Sequence, residues 1–251
     1  MSDVVVTVGS HMGVIVVLVA FVALIGGQKL HWPALMAAFA AFAIYISAVF
    51  FGDTVLQVPA LKPVKDLLEQ SNWNWAGKVV ALCATLTMAA AVSLVVPGAL
   101  SRMGFTVRQI PGSVLPALAM ATAVTGGCIA MEIAQANGTE LSADRLLYQS
   151  IMPGLDEEPL FRGLLPLLLA MGLGGNERRF WHIGLGGFLA TVLFGVGHGL
   201  AYQEGAFVFA VIPIFVTGLI GLSLLWIRER TGSLLLPIIV HNVINVSMGF
   251  F

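Results

Sequence analysis

Long apolar segments separated by polar loops recur along the chain. A transmembrane helix needs about 20 consecutive, mainly apolar residues. Eight segments meet this requirement: 5–26, 33–52, 78–98, 111–134, 146–170, 180–201, 206–227 and 233–251. The separators contain Gly, Asn and charged residues, which are typical of turns and loops. The pattern predicts an all-α fold, a polytopic membrane helical bundle with about eight transmembrane helices.

One separator, residues 53–77, is much longer than the others. Its apolar residues, among them Leu56, Val64 and Leu67, are interspersed with the charged residues Lys62 and Lys65. This spacing favours a short amphipathic helix in the membrane interface. A surface helix covered by other parts of the protein is the alternative.

Composition supports a membrane protein and excludes several kinds of partner. Of 251 residues, 58% are hydrophobic and 10% are charged, whereas soluble domains have roughly 25% charged residues. The net charge is −1 and no basic run is present, so we expect a lipid bilayer and no nucleic acid as partner. Cys83 and Cys128 lie in apolar segments without CxxC spacing, which predicts neither a disulfide framework nor a cysteine metal site.

The charged loop residues predict an orientation. If eight spans alternate, seven Lys and Arg residues lie in the loops of one side and four, with Lys78 among them, on the other. The positive-inside rule then places both termini away from the cytoplasm. Asp3, and no Lys or Arg, precedes the first apolar run, so we expect this span to be retained rather than cleaved as a signal peptide. Compact loops without compartment signals favour a prokaryotic cytoplasmic (inner) membrane.

Residues 151–163 combine helix-breaking and charged residues within an apolar segment. Pro153 and Gly154 are expected to break the preceding helix, and Asp156 can cap a new one. Pro159 is tolerated only near a first turn or at a kink. The sequence therefore predicts an irregular backbone next to Glu157 and Glu158.

Glu157, Glu158 and Arg162 are the charged residues of this segment that the bilayer tolerates least. Glu158 and Arg162 are four residues apart and share a helical face, so we expect them to pair. Glu157 points about 100° away and is left to face a cavity. A second, adjacent carboxylate costs a few kcal/mol in a membrane, which indicates function for Glu157 rather than a structural ion pair.

Two further apolar segments contain polar side chains. In one, Phe194 lies four residues before His198, and glycines on either side of the histidine permit close helix packing. In the other, His241 and Asn245 are four apart and can act on the same small volume. Each alone could be a hydrogen-bonded packing residue, as we expect for Asn242. His11, His31 and His182 fall at span ends or in loops, and we assign them no chemistry.

Together these residues resemble a known family. EEPLFRG at 157–163 matches an EExxxR motif, FGVGH at 194–198 an FxxxH motif and HNVIN at 241–245 an HxxxN motif. In this order they are similar to the motifs of the CAAX prenyl protease and bacteriocin-processing (CPBP) family of intramembrane proteases. The resemblance covers about residues 105–251 of a single membrane domain, and the helices of about 1–104 are the variable part.

The resemblance implies an eight-helix endopeptidase that cuts a membrane-associated protein or peptide. Glu157 would activate water, His198 would share that water, and His241 with Asn245 would stabilise the oxyanion. The supporting residues would be Glu158 and Arg162, which hold the loop, and Phe194 of the FxxxH motif. This mechanism requires no cofactor.

Other functions remain open from the residues alone. Glu157, His198 and His241 form a set that a catalytic zinc ion can use, with water as the fourth ligand. A non-catalytic immunity or scaffold protein of the membrane is a second alternative. A proton-coupled carrier that uses Glu157 and the histidines is a third.

Overall fold

The computed structural model describes residues 2–26, 29–68, 70–135, 142–174, 179–180 and 182–248. The α-helices are α1 Ser2–Gly26, α2 Trp32–Val55, α3 Lys62–Leu68, α4 Trp75–Val95, α5 Ala99–Arg102, α6 Val114–Gln135, α7 Ala143–Glu158, α8 Leu165–Gly172, α9 Leu185–Gly197, α10 Val211–Thr231 and α11 Leu235–Ser247. A 3₁₀ turn, Pro59–Leu61, precedes α3, and a π-helical turn, Pro159–Leu164, joins α7 to α8. Strands β1 Arg179–Phe180 and β2 Ile183–Gly184 form one antiparallel hairpin, and β3 Leu200–Gln203 and β4 Ala206–Phe209 form another.

Five of the described helices are long and apolar enough to cross a bilayer: α1, α2, α4, α6 and α10. Their outer surfaces carry large apolar side chains, such as Leu24, Leu94 and Leu115, which are 84%, 87% and 79% exposed. Exposed apolar surface of this extent needs lipid around it rather than water. The protein is therefore an integral membrane protein with a helical bundle.

The other three predicted spans have a different form. The span 146–170 covers most of α7 and α8 and the π-helical turn between them, while 180–201 and 233–251 contain α9 and α11, of 13 residues each. Residues 249–251 lie outside the described part of the chain. The count of eight membrane spans thus stays a prediction.

The predicted limits at 201 and 206 are wrong, because residues 200–209 belong to the β3–β4 hairpin rather than to two helix ends. Glu204 and Gly205 form its turn with φ angles of 51° and 84°, a backbone that ends a helix. The two hairpins are small additions to an otherwise helical fold.

The long separator contains the predicted short helix, α3. Its apolar residues Val64 and Leu67 are 43% and 65% exposed. These side chains are not covered by the described part of the protein, so α3 has the features of an interfacial helix rather than of a covered surface helix.

Close helix contacts bring the polar residues together. A Cβ atom on Gly52 of α2 would lie 2.5 Å from the Cα of Gly77 on α4. A Cβ atom on Gly154 of α7 would lie 2.5 Å from the carbonyl oxygen of Ile238 on α11. Since no side chain fits at either point, these glycines allow α4 and α11 to approach the middle of the bundle.

The expected helix break at Pro153 is wrong, because α7 continues to Glu158 and Asp156 lies inside it. Asn242 on α11 bonds to the backbone on either side of Pro153: its Oδ1 accepts from the N–H of Gly154 at 2.8 Å, and its Nδ2 donates to the carbonyl of Ile151 at 3.2 Å. The irregular backbone follows Glu158 instead. There the N–H of Leu165 donates to the carbonyl of Leu160, as in a π-helix.

Candidate active site

Three consecutive acids, Asp156, Glu157 and Glu158, form the centre of the site at the end of α7. They are 0%, 8% and 0% exposed. Successive residues of a helix point about 100° apart, so the three carboxylates have different sets of partners. Buried carboxylates need ion pairs or hydrogen bonds.

Glu158 holds Arg162 and His241. Its Oε1 lies 3.1 Å from Arg162 Nη1, which confirms the predicted pair, and 2.8 Å from His241 Nδ1. When Nδ1 donates this hydrogen bond, Nε2 of the same imidazole is directed away from Glu158. Glu158 therefore fixes the orientation of the histidine ring.

Phe194 connects the arginine with the two histidines. The guanidinium carbon of Arg162 lies 4.1 Å from the centroid of the Phe194 ring, a cation–π contact. The Phe194 ring centroid is 4.6 Å from that of His198 and 6.1 Å from that of His241. Phe194 is thus a packing partner of both histidines.

Glu157 has a partner that the sequence interpretation missed. The Lys78 ammonium on α4 contacts Glu157 Oε1 and lies 2.9 Å from Asp156 Oδ2, which also accepts a hydrogen bond from Tyr45 at 2.8 Å. Among the described residues, Glu157 Oε2 has no hydrogen-bond partner. It lies 3.8 Å from His241 Nε2. One oxygen of Glu157 is held, and the other is available.

The position of Lys78 also changes the orientation argument. It was counted as a loop residue, but it lies inside α4, and its side chain is only 13% exposed. Arg228, which was counted on the other side, likewise lies inside α10 and is only 8% exposed. Without these two residues, the counts of loop Lys and Arg residues are six and three. The orientation of the termini stays a prediction.

Glu157 and His198 line one cavity of about 150 Å³. His198 follows the last turn of α9, where its Nδ1 lies 2.7 Å from the carbonyl oxygen of Phe194. Since a carbonyl only accepts, Nδ1 donates, and Nε2 of the neutral ring is an acceptor. The structure therefore brings together Glu157 and His198 as predicted.

Asn245 lies on α11 one turn beyond His241 and at the margin of this group. Its Nδ2 donates to Gln149 Oε1 on α7 at 3.1 Å, which occupies one of its two amide hydrogens. Neither His241 nor Asn245 is among the residues that line the cavity of Glu157 and His198. Asn242, predicted to be a helix-contact residue, contacts α7 as described above.

His11 is the histidine whose position was predicted wrongly. It lies in the middle of α1 rather than at a span end, is 2% exposed, and lines the cavity of Glu157 and His198. The sequence did contain a signal for His11 and for Tyr45, because each is a polar residue inside an apolar span. The signal for Gln149 and Lys78 was weaker, since both lie near predicted span ends.

The residues of the zinc alternative do not form a metal site as they stand. Within the described ranges, no group of at least three His, Cys, Asp or Glu side chains is arranged to hold a metal ion. Lys78 already places a positive charge on Glu157. A metal ion bound to Glu157 would have to displace or repel this ammonium group.

Comparison with known proteins relates part of the chain to a protein family. Residues 140–247 match the model of a family described as Rce1-like, type II CAAX prenyl endopeptidase. No curated protein and no solved structure matches the chain. The match includes the EExxxR, FxxxH and HxxxN motifs, whereas the predicted division near residue 104 stays a prediction. Over residues 140–247, the chain is therefore similar to the type II CAAX prenyl endopeptidases, the family of membrane proteases that its motifs resemble.

Proposed function

We propose that the protein is an intramembrane endopeptidase in which Glu157 activates a water molecule. The observation that carries this proposal is the position of Glu157, which, unlike Asp156 and Glu158, lines the cavity that contains His198. Lys78 holds Oε1, while Oε2 has no hydrogen-bond partner among the described residues and faces His241 Nε2 at 3.8 Å. One oxygen each of Asp156 and Glu158 also lacks a hydrogen-bond partner, but neither residue lines this cavity. Of the three acids, Glu157 is therefore the one whose free oxygen can meet a water molecule there.

In the proposed reaction, water donates a proton to Glu157 Oε2 as its oxygen attacks the carbonyl carbon of the scissile peptide bond. The carbonyl oxygen becomes an oxyanion. When the C–N bond breaks, the proton on Glu157 passes to the departing amine. Glu157 is thus general base and then general acid, and it returns to its starting state.

His198 would contact the attacking water, and His241 would contact the oxyanion. Because its Nδ1 donates to the Phe194 carbonyl, the neutral His198 ring can accept a hydrogen bond from water through Nε2. His241, whose Nδ1 is held by Glu158 at 2.8 Å, would donate to the oxyanion from Nε2.

Asn245 would supply the second donor to the oxyanion. One of its amide hydrogens is used by Gln149 at 3.1 Å, and the other is left for substrate. Removal of one such donor typically reduces kcat about 10²- to 10³-fold. Glu158, Arg162 and Phe194 would keep the histidines in place without touching the substrate.

The proposed mechanism uses no metal ion, and the substrate is a protein or peptide in or near the bilayer. The proposed location is a prokaryotic cytoplasmic membrane with both termini on the far side from the cytoplasm. A mechanism without a metal ion is supported by the Lys78 ammonium, which already places a positive charge at Glu157. Support for the orientation is the excess of basic loop residues.

The test is cleavage of peptides from a membrane extract by the purified protein in detergent. Wild type is compared with Glu157→Gln, with and without a strong chelator. Glu132→Gln is a matched control, since Glu132 lies in α6, another apolar helix, and outside the site. We expect cleavage by wild type and Glu132→Gln, no cleavage by Glu157→Gln, and no effect of the chelator.

The other outcomes separate the alternatives. Loss of wild-type cleavage with chelator, restored by added Zn²⁺, would replace the proposed mechanism by a zinc-dependent one. No cleavage by wild type, with function in cells retained by Glu157→Gln, would leave a non-catalytic immunity or scaffold protein.

A further inference from the structure

A second histidine of the cavity lies outside the region that matches the protease family. His11 belongs to α1, 129 positions before the matched region starts at residue 140. It is 2% exposed, and it lines the cavity that also contains Glu157 and His198. The mechanism proposed above does not use it.

The two nitrogen atoms of His11 have different surroundings. Nδ1 lies 2.7 Å from the carbonyl oxygen of Thr7 and therefore donates to it. Nε2 is buried and has no hydrogen-bond partner among the described residues. In the neutral ring that this bond defines, Nε2 is an acceptor. A buried acceptor without a donor is costly, so a donor that enters the cavity would be bound there.

A second, larger cavity adjoins the one that contains Glu157. It has a volume of about 620 Å³ and lies between the start of α1 and the β3–β4 hairpin. We call it the hairpin groove; its polar lining includes Asp3, Thr7, Tyr202, Gln203 and Glu204. The hairpin groove and the smaller cavity share four residues, which are His11, Phe50, Gly197 and His198. His11 is thus located where one cavity meets the other.

Thr7 connects His11 with the wall of the hairpin groove. The Thr7 carbonyl accepts from His11 Nδ1, and its hydroxyl accepts from the N–H of Tyr202 in β3 at 2.9 Å. At the end of the hairpin, the N–H of Glu204 donates to Asp3 Oδ2 at 3.1 Å. Helix α1 and the hairpin therefore form one wall, and the imidazole has a fixed position in it.

The polar lining of the hairpin groove suits a peptide chain better than a lipid chain. A peptide backbone offers an N–H donor at nearly every residue, whereas a hydrocarbon chain offers none. We propose that the substrate peptide passes through the hairpin groove and that His11 Nε2 accepts a hydrogen bond from one of its backbone N–H groups. This proposal rests on the proposed function, because it concerns the substrate of the same site.

Two substitutions distinguish the two nitrogen atoms of His11. His11→Asn can keep the bond to the Thr7 carbonyl but loses the acceptor that reaches the cavity, while His11→Gln can place an amide oxygen near the position of Nε2. We expect His11→Asn to raise KM about tenfold with kcat little changed, which is the effect of one lost hydrogen bond. His11→Gln should recover most of this loss.

Ser10→Ala is the matched control. Ser10 Oγ donates to the same Thr7 carbonyl at 2.7 Å, but Ser10 lines neither cavity. A KM of Ser10→Ala equal to that of wild type would exclude disturbance of α1 as the cause of the His11→Asn effect.

The deciding experiment uses a synthetic peptide cleaved by wild type and a series in which each backbone nitrogen in turn is methylated. At one position, methylation should raise KM about tenfold for wild type and have almost no effect for His11→Asn. If methylation at every position raises KM by the same factor in wild type and in His11→Asn, the inference is overturned and the protease proposal stays intact. If wild type cleaves nothing, the protease proposal fails. The role of His11 is then decided by the binding of methylated and unmethylated library peptides to Glu157→Gln with and without His11→Asn.

Discussion

Lys78 on α4 contacts the carboxylate of Glu157 on α7, 79 positions away in the sequence. The same ammonium group lies 2.9 Å from Asp156. Three buried carboxylates at residues 156–158 thus face two cations, the partly exposed Lys78 and the buried Arg162. The balance of charge in the site depends on a lysine that the family match at 140–247 does not include.

Removal of this lysine should destabilise the fold as well as stop the reaction. In Lys78→Met, Asp156 and Glu157 keep their burial but lose their cation, and breaking a buried ion pair costs about 3–5 kcal/mol. We expect a lower melting temperature in detergent and no cleavage. Lys62→Met on the exposed helix α3 is the control, with a change within about 0.5 kcal/mol.

A second variant tests whether charge is the cause. Asp156→Asn in the Lys78→Met background removes one of the two uncompensated carboxylates, so thermal stability should recover in part. An equal loss of stability in the single and double variants would mean that Lys78 acts through packing of its aliphatic stem.

Glu158 should contribute mainly to stability and Glu157 mainly to cleavage. Glu158 contacts Arg162 and His241, so Glu158→Gln leaves a buried guanidinium without its carboxylate and should lower stability by about 3–5 kcal/mol. Glu157→Gln should stop cleavage with a much smaller change, because Asp156 remains a partner for Lys78. Thermal unfolding and cleavage measured on both variants check this. Equal melting temperatures would contradict the assignment of Glu158 to positioning.

Sequence reasoning found those parts of the site that depend on local spacing. Glu158 and Arg162 are one helical turn apart, so their pairing followed from helix geometry alone. His241 and Glu158 are 83 positions apart, and their contact depends on how α11 packs against α7. The motifs placed these residues in one site but could not say which atoms meet.

Pro153 shows why the local argument failed elsewhere. A proline inside a helix removes a hydrogen bond and normally ends or kinks the helix. Here α7 continues past Pro153, Asn242, 88 positions from Gly154, bonds to the backbone of this turn, and the irregular turn forms after Glu158. His11 was misplaced because the first span begins earlier than predicted, at Ser2.

Even the addition of one methyl group at Gly221 on α10 should disturb the site. A Cβ atom there would lie 2.8 Å from Arg162 Nη2 and 2.9 Å from Phe194 Cδ1. Gly221→Ala should therefore displace the cation–π pair, reduce cleavage, and cost about 1–3 kcal/mol of stability. Gly218→Ala on the same helix is the control, because nothing lies within 4 Å of its added Cβ. Indistinguishable melting temperatures and rates would contradict this packing argument.

Asn242 and Asn245 lie on α11 and should have opposite phenotypes. Asn242 bonds to the backbone of Gly154 and Ile151, so Asn242→Leu leaves these groups unsatisfied and should cost about 1–3 kcal/mol each. Asn245→Ala loses a hydrogen bond to Gln149 and, in the proposed mechanism, an oxyanion donor. It should fold and bind peptide nearly as wild type does, with kcat reduced about 10²- to 10³-fold. Melting temperature, kcat and KM of both variants separate the two roles. A normal kcat for Asn245→Ala would remove Asn245 from the oxyanion site and leave His241 as its donor.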